Sequence, residues 1–144
     1  IEAEDTAVVT LKFKNGALGI IEATTATRPN DLEGSISILG DGGTVEIGGF
    51  AVNEMKVWNF SDLTPGDKKV MEEYSVNPPN VYGFGHKAYY DYVVNCISNN
   101  GPHLVDGLIG RRSLELINSI YVSIESGKEV FLASNIKQSK LGLK

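Results

Sequence analysis

Two short apolar, β-branched runs open the chain, Ala7 to Phe13 and Ala17 to Ala23, with Lys14-Asn15-Gly16 between them. An Asn-Gly pair tolerates the positive φ angles of a type I′ turn, so the two runs are expected to pair as a hairpin. Ser35-Ile36-Ser37-Ile38-Leu39 then alternates polar and apolar, Asp41-Gly42-Gly43 turns the chain, and Thr44-Val45-Glu46-Ile47 alternates again. Period-two alternation gives a sheet one buried face and one polar face. Ser35, Ser37, Thr44 and Glu46 fall on the polar face, and Thr10, Lys12 and Thr24 join it in the simplest register. After Gly48-Gly49, Phe50 to Phe60 reads as a fifth strand kinked near Asn53-Glu54.

The pattern then changes. Ser61 to Pro79 is broken by Pro65-Gly66 and Pro78-Pro79, with a weak strand signal from Val70 to Val76. From Tyr89 the apolar positions Tyr89, Tyr92, Val93, Cys96 and Ile97 follow the spacing of a half-buried helix, and Gly101-Pro102 is its stop signal. A longer helix starts at an Asp106 N-cap and runs through Ile109, Ser113, Leu116, Ile117, Ile120, Tyr121 and Ile124 to Gly127. Lys128 to Leu132 offers one further strand. Strands first and helices later predict an α+β fold. The expected form is an open-faced, mostly antiparallel sheet of about five to seven strands, with helices packed on one face. Residues 1–144 are read as one domain, without internal repeats.

Charge and composition narrow the function. Thirteen Lys and Arg against eighteen Asp and Glu give a net charge of −5. Nucleic acid and anionic membranes reward a basic face, so neither is an expected partner. Cys96 is the sole cysteine, so no internal disulfide can form, and no signal-peptide pattern opens the chain. A cytoplasmic location is expected. The sequence starts at Ile1 and enters a strand almost at once, which reads as part of a longer polypeptide.

Candidate chemistry is sparse. Gly83-Phe84-Gly85-His86-Lys87-Ala88 fits the Gly-x-Gly-x-x-Ala pattern of a dinucleotide turn, with Asp106 where a ribose-binding acid belongs. Such a turn needs a buried parallel strand before it, and Pro78-Pro79-Asn80 leaves only Val81-Tyr82. Two glycines easing a tight entry into a helix is the simpler account. His86 and His103 are the only histidines, and neither has ligand spacing to another His or Cys, so no metal site is expected. Cys96 lies on an apolar helix stripe, where a core thiol is the plain reading. Arg111-Arg112 with Glu115 reads as a solvated helix face. No residue set forms a catalytic pair.

Asp5 to Gly19, Ile38-Leu39-Gly40-Asp41-Gly42-Gly43-Thr44-Val45-Glu46-Ile47, and the closing Asp106-Gly107, Arg111 to Ile117, Ser119 to Ser123 and Gly127-Lys128 together resemble a known domain. It is the C-terminal domain of the glucose–fructose oxidoreductase/inositol dehydrogenase (Gfo/Idh/MocA) family. Ala23 to Pro29, Gly48 to Asn53 and Gly83 to Tyr90 look most like one branch of it. That branch oxidises UDP-N-acetyl-glucosaminuronic acid at the sugar 3-position (a UDP-N-acetyl-2-amino-2-deoxyglucuronate 3-dehydrogenase) in lipopolysaccharide biosynthesis.

The resemblance implies a division of labour. Intact members bind NAD or NADP in an N-terminal Rossmann domain, which also carries a Glu-Lys-Pro motif, and an Asp-x-x-x-His motif completes the chemistry. Neither motif occurs here. No catalytic or cofactor-binding residue is therefore expected in this chain, and alone it should be inactive. It is expected to bind a sugar or UDP-sugar and to form a homodimer or tetramer through the open sheet face. From chemistry and location, the expected substrate contacts are Arg28, Gly85 and His86 at a helix start, Tyr89, and Asn53. The alternative is a non-catalytic β-sheet assembly module sharing the fold.

Overall fold

A computed structural model describes residues 4–80, 82–101 and 104–132. The order of elements is β1 (Thr6–Lys12), β2 (Leu18–Thr24), β3 (Ile36–Gly40), β4 (Gly43–Gly48), β5 (Glu54–Phe60), α1 (Asp67–Glu73), α2 (Gly85–Asn99) and α3 (Gly107–Ser126). The described strands form two sheets, β1-β2 and β3-β4-β5, rather than one continuous sheet. The stretch between β2 and β3 carries Pro29 and Gly34 and adds no rung to either ladder.

Two compact units emerge. One combines residues 7–22 with the C-terminal part from residue 99. Its hairpin turns at Lys14-Asn15-Gly16, but not as a type I′ turn: Gly16 has φ 92°, whereas Asn15 is not among the positive-φ residues. The Gly16 N–H donates to the Phe13 carbonyl, and Phe13 N–H to Ala17 O, both at 2.9 Å. That is the three-residue loop with a glycine bulge, in which one left-handed residue suffices. In α3 the expected caps are present. Asp106 accepts the Ile109 N–H at 2.9 Å, and Gly127 closes the helix with φ 65°. Arg111 pairs with Glu115 at 2.8 Å on the exposed face. Residues 128–132 are irregular, so the further strand expected there does not form within the described part.

The other unit comprises residues 1–6 and 23–98 and holds the three-stranded antiparallel sheet, α1 and α2. Register sorts its faces. Ile36 opposes Ile47 and Ile38 opposes Val45, while Val45 opposes Trp58 and Ile47 opposes Met55. These residues make one apolar face, on which Trp58 and Phe60 meet edge-on with centroids 5.0 Å apart. Ser37, Glu46 and Thr44 lie on the opposite face, as the alternation predicts. A bulge opposite Glu46/Ile47 interrupts the β4-β5 register. It lies nearer the middle of β5 than the expected kink at Asn53-Glu54, and residues 49–52 form a turn rather than strand.

Val70 to Val76 is not a strand; most of it lies in α1, which packs against β5. The reason is Asp67. Its carboxylate accepts the Trp58 indole N–H at 2.7 Å, and the Thr64 N–H and hydroxyl at 2.6 Å each. Those bonds fix the first turn of a segment rich in the helix formers Lys, Met and Glu. They also hold the Asp67 carboxyl below its ordinary pKa, the Thr64 hydroxyl contributing most, then the Trp58 indole and the Thr64 N–H. A depressed carboxylate adds stability above its unfolded pKa and loses it as pH falls through the folded value. The melting temperature of wild type is therefore expected to fall on acidification below about pH 4, with a flatter profile in Asp67→Asn over the same interval. Circular dichroism melts across that range check this.

Candidate functional site

The site is built at the start of α2. Asn80 turns the chain: its side chain accepts the Tyr82 N–H at 3.0 Å and its carbonyl the Gly83 N–H at 3.2 Å. Gly83 takes φ 67°, a left-handed conformation that favours glycine. α2 then begins at Gly85, four residues before the apolar periodicity starts, and Asn100 with φ 50° takes the left-handed position after its last residue. The sequence signal for that stop was Gly101-Pro102, of which Pro102 lies outside the described residues, as does His103.

A shallow hollow of about 310 Å³ opens here, lined by Tyr82, Gly85, His86 and Tyr89. Its walls are two phenol rings and an imidazole. Tyr82 and His86 meet at right angles with centroids 5.8 Å apart. His86 Nδ1 lies 3.0 Å from the Tyr82 carbonyl oxygen. A carbonyl only accepts, so Nδ1 carries a hydrogen and Nε2 is left to address a ligand. The first turn of α2 has no acidic side chain. Its leading N–H groups and helix dipole favour an anion. A Cβ at Gly85 would meet nothing within 4 Å, so the backbone there is open to approach. Aromatic walls beside anion-seeking N–H groups suit a ring that carries a carboxylate or phosphate.

Gly85, His86 and Tyr89 are thus brought together as expected. Tyr82 was not singled out by the sequence, although its position one turn before His86 was a usable signal. Arg28 and Asn53 do not line the hollow. The Arg28 Nη1 donates to the carbonyls of Thr27 at 2.5 Å and Thr25 at 3.4 Å. Its Nε–Nη2 edge is left without a partner among the described residues, a fork suited to a carboxylate or phosphate. The Asn53 amide is fully engaged within the chain. Its Nδ2 donates to the Val76 carbonyl and to Asn77 Oδ1, both at 2.9 Å, and its Oδ1 accepts the Ala51 N–H at 3.3 Å.

The sequence also missed a charged latch. Glu33 accepts the Gly49 N–H at 2.7 Å and pairs with Lys56. The Lys56 bond, then the Gly49 N–H, lowers the Glu33 pKa, and Glu33 in turn raises that of Lys56. Sequence separation hides such a pair, since the two residues stand 23 positions apart. Among the described residues no group of acidic, His or Cys side chains could hold a metal ion, and no helix is long and apolar enough to cross a membrane. Among the described residues no strand leads into the Gly83–Ala88 turn. The dinucleotide reading of that motif therefore fails on geometry.

Residues 1–132 match the family of the oxidoreductase C-terminal alpha/beta domain, Gfo/Idh/MocA. The chain belongs to that family. Among solved structures it is similar to the WlbA dehydrogenase from Bordetella pertussis in complex with NADH and UDP-GlcNAcA, with 46% identity and a TM-score of 0.80. The match covers 89% of this chain and 37% of that one. It is also similar to the WlbA dehydrogenase from Chromobacterium violaceum, likewise in complex with NADH and UDP-GlcNAcA. There the identity is 41%, the TM-score 0.76, and the coverage 89% of this chain and 35% of the other. The chain thus spans little more than a third of the length of these dehydrogenases. No curated protein matches it.

Proposed function

We propose that this chain is the substrate-binding and oligomerisation domain of an NAD(P)-dependent dehydrogenase that oxidises a ring hydroxyl of an anionic UDP-sugar by hydride transfer. The observation that carries the reading is the similarity to two dehydrogenases solved with NADH and UDP-GlcNAcA. The hollow at the start of α2 supports it, because its chemistry suits such a ligand. In this reading Tyr82 and Tyr89 pack on a ring of the sugar nucleotide. The Gly85 N–H and His86 Nε2 address its polar groups, and Arg28 holds an anionic one. Asn53 contributes through the segment it holds.

The Gly83–Ala88 turn does not fit a nicotinamide nucleotide, since no strand leads into it among the described residues. The cofactor is therefore assigned to an N-terminal domain outside the chain. The work left to these residues is to hold the sugar carbon at about 3–3.5 Å from its hydride acceptor and to exclude water. NADH formation by the intact protein with UDP-GlcNAcA, compared with neutral UDP-sugars, tests the reading. Turnover with the acid is expected; turnover restricted to free sugars would contradict it.

The same proposal includes self-association through the open sheet face of a cytoplasmic enzyme. Both faces of β3 support this, with Ile36 53%, Ile38 61% and Leu39 79% exposed. Light scattering of the intact protein is expected to give a dimer or tetramer, and a monomer at high concentration would refute it.

A further inference from the structure

The turn between β4 and β5 is strained and heavily braced. Val52 adopts φ 52° and Gly49 φ 91°, and the Val52 N–H closes onto the Gly49 carbonyl at 3.1 Å. A β-branched residue in the left-handed region is costly and persists only where its surroundings over-determine it. Here they do. Glu33 holds the Gly49 N–H, Asn53 holds the Ala51 N–H, and Ser75 Oγ accepts the Met55 N–H at 3.0 Å just beyond. The same Asn53 amide grips Val76 and Asn77. Pro78, which is buried, and Pro79 follow immediately. Two prolines in succession have fixed φ angles and make a stiff link. Asn80 comes next, and its side chain and carbonyl hold the Tyr82 and Gly83 N–H groups.

We propose that Val52 and Asn53 are positioning residues: the strained turn clamps Val76-Asn77, and through the Pro78-Pro79 strut it sets where Tyr82 and His86 stand against the substrate. This rests on the reading of the hollow as the sugar-nucleotide site. The strain serves placement and not stability, and that distinction can be measured.

The test uses the intact dehydrogenase and four variants: Val52→Gly, Asn53→Leu, Asn77→Leu and Asn77→Asp. KM for UDP-GlcNAcA, KM for NAD, kcat and melting temperature are read for each. Val52→Gly is expected to keep or raise the melting temperature while KM for the UDP-sugar rises about tenfold, with KM for NAD unchanged. Asn53→Leu and Asn77→Leu raise the same KM, whereas Asn77→Asp retains the acceptor and behaves as wild type. An unchanged UDP-sugar KM in Val52→Gly and Asn77→Leu overturns the proposal. So does a rise in KM that merely tracks a falling melting temperature. A wild-type protein that oxidises no UDP-sugar overturns the site reading and this proposal together; an active wild type with indifferent variants overturns this proposal alone.

Discussion

Replacing Arg28 with glutamine in the intact protein is expected, on the proposed function, to raise KM for an anionic UDP-sugar about 10- to 100-fold, with kcat nearly unchanged. The guanidinium is anchored at Nη1 by the Thr25 and Thr27 carbonyls, which restrains it, and its Nε–Nη2 edge has no partner among the described residues. Preorganisation of this kind makes a charge-assisted pair stronger than one formed by a freely moving side chain. A Lys at the same position restores charge but not the fork, and should recover only part of the loss. Steady-state kinetics of the two variants, with neutral UDP-sugars as controls, decide it. An equal KM for acid and neutral substrates in wild type and Arg28→Gln would remove Arg28 from the site.

The largest effect on stability is expected at Gly43. This residue pairs with Gly40 across the β3-β4 turn and with Phe60 on β5. A Cβ there would overlap the Phe60 ring and lie 2.5 Å from the Asn59 carbonyl oxygen. The ring can rotate, but the carbonyl belongs to the ladder and cannot move without breaking it. Gly43→Ala should therefore cost about 2–3 kcal/mol and lower the melting temperature by about 10 °C. Gly42→Ala is the control, because a Cβ at Gly42 meets nothing within 4 Å. Its cost should stay within about 0.5 kcal/mol. Equal melting temperatures for the two variants would show that the β4-β5 register is not the constraint it is taken to be.

Much of this architecture was legible because local rules decided it. The alternation in Ser35 to Ile47 gave the correct face for Ser37, Thr44 and Glu46, since a one-residue slip would have inverted every side chain. Asp106 and Gly127 were readable as caps because their chemistry acts within one helical turn. The misses share a different cause. The pattern of Val70 to Val76 reports only on its own residues, whereas the helix there is fixed by Asp67 reaching across to Trp58 on β5. The Lys14-Asn15-Gly16 turn was recognised, but one positive φ or two is a choice of loop length that the same three residues permit. Gly85, His86 and Tyr89 come together in the hollow because they are close in sequence. The Asn53–Asn77 and Glu33–Lys56 pairings escaped notice because tertiary folding alone brings them together.

In the proposed division of labour, this chain holds the sugar nucleotide and another domain holds the nicotinamide. A crystal structure of the intact protein with NADH and UDP-GlcNAcA tests it most directly. The sugar nucleotide is expected against Arg28, Gly85, His86 and Tyr89, with NADH bound by residues outside this chain. A UDP-sugar lodged away from all four of those residues, or NADH seated on the Gly83–Ala88 turn, would contradict it.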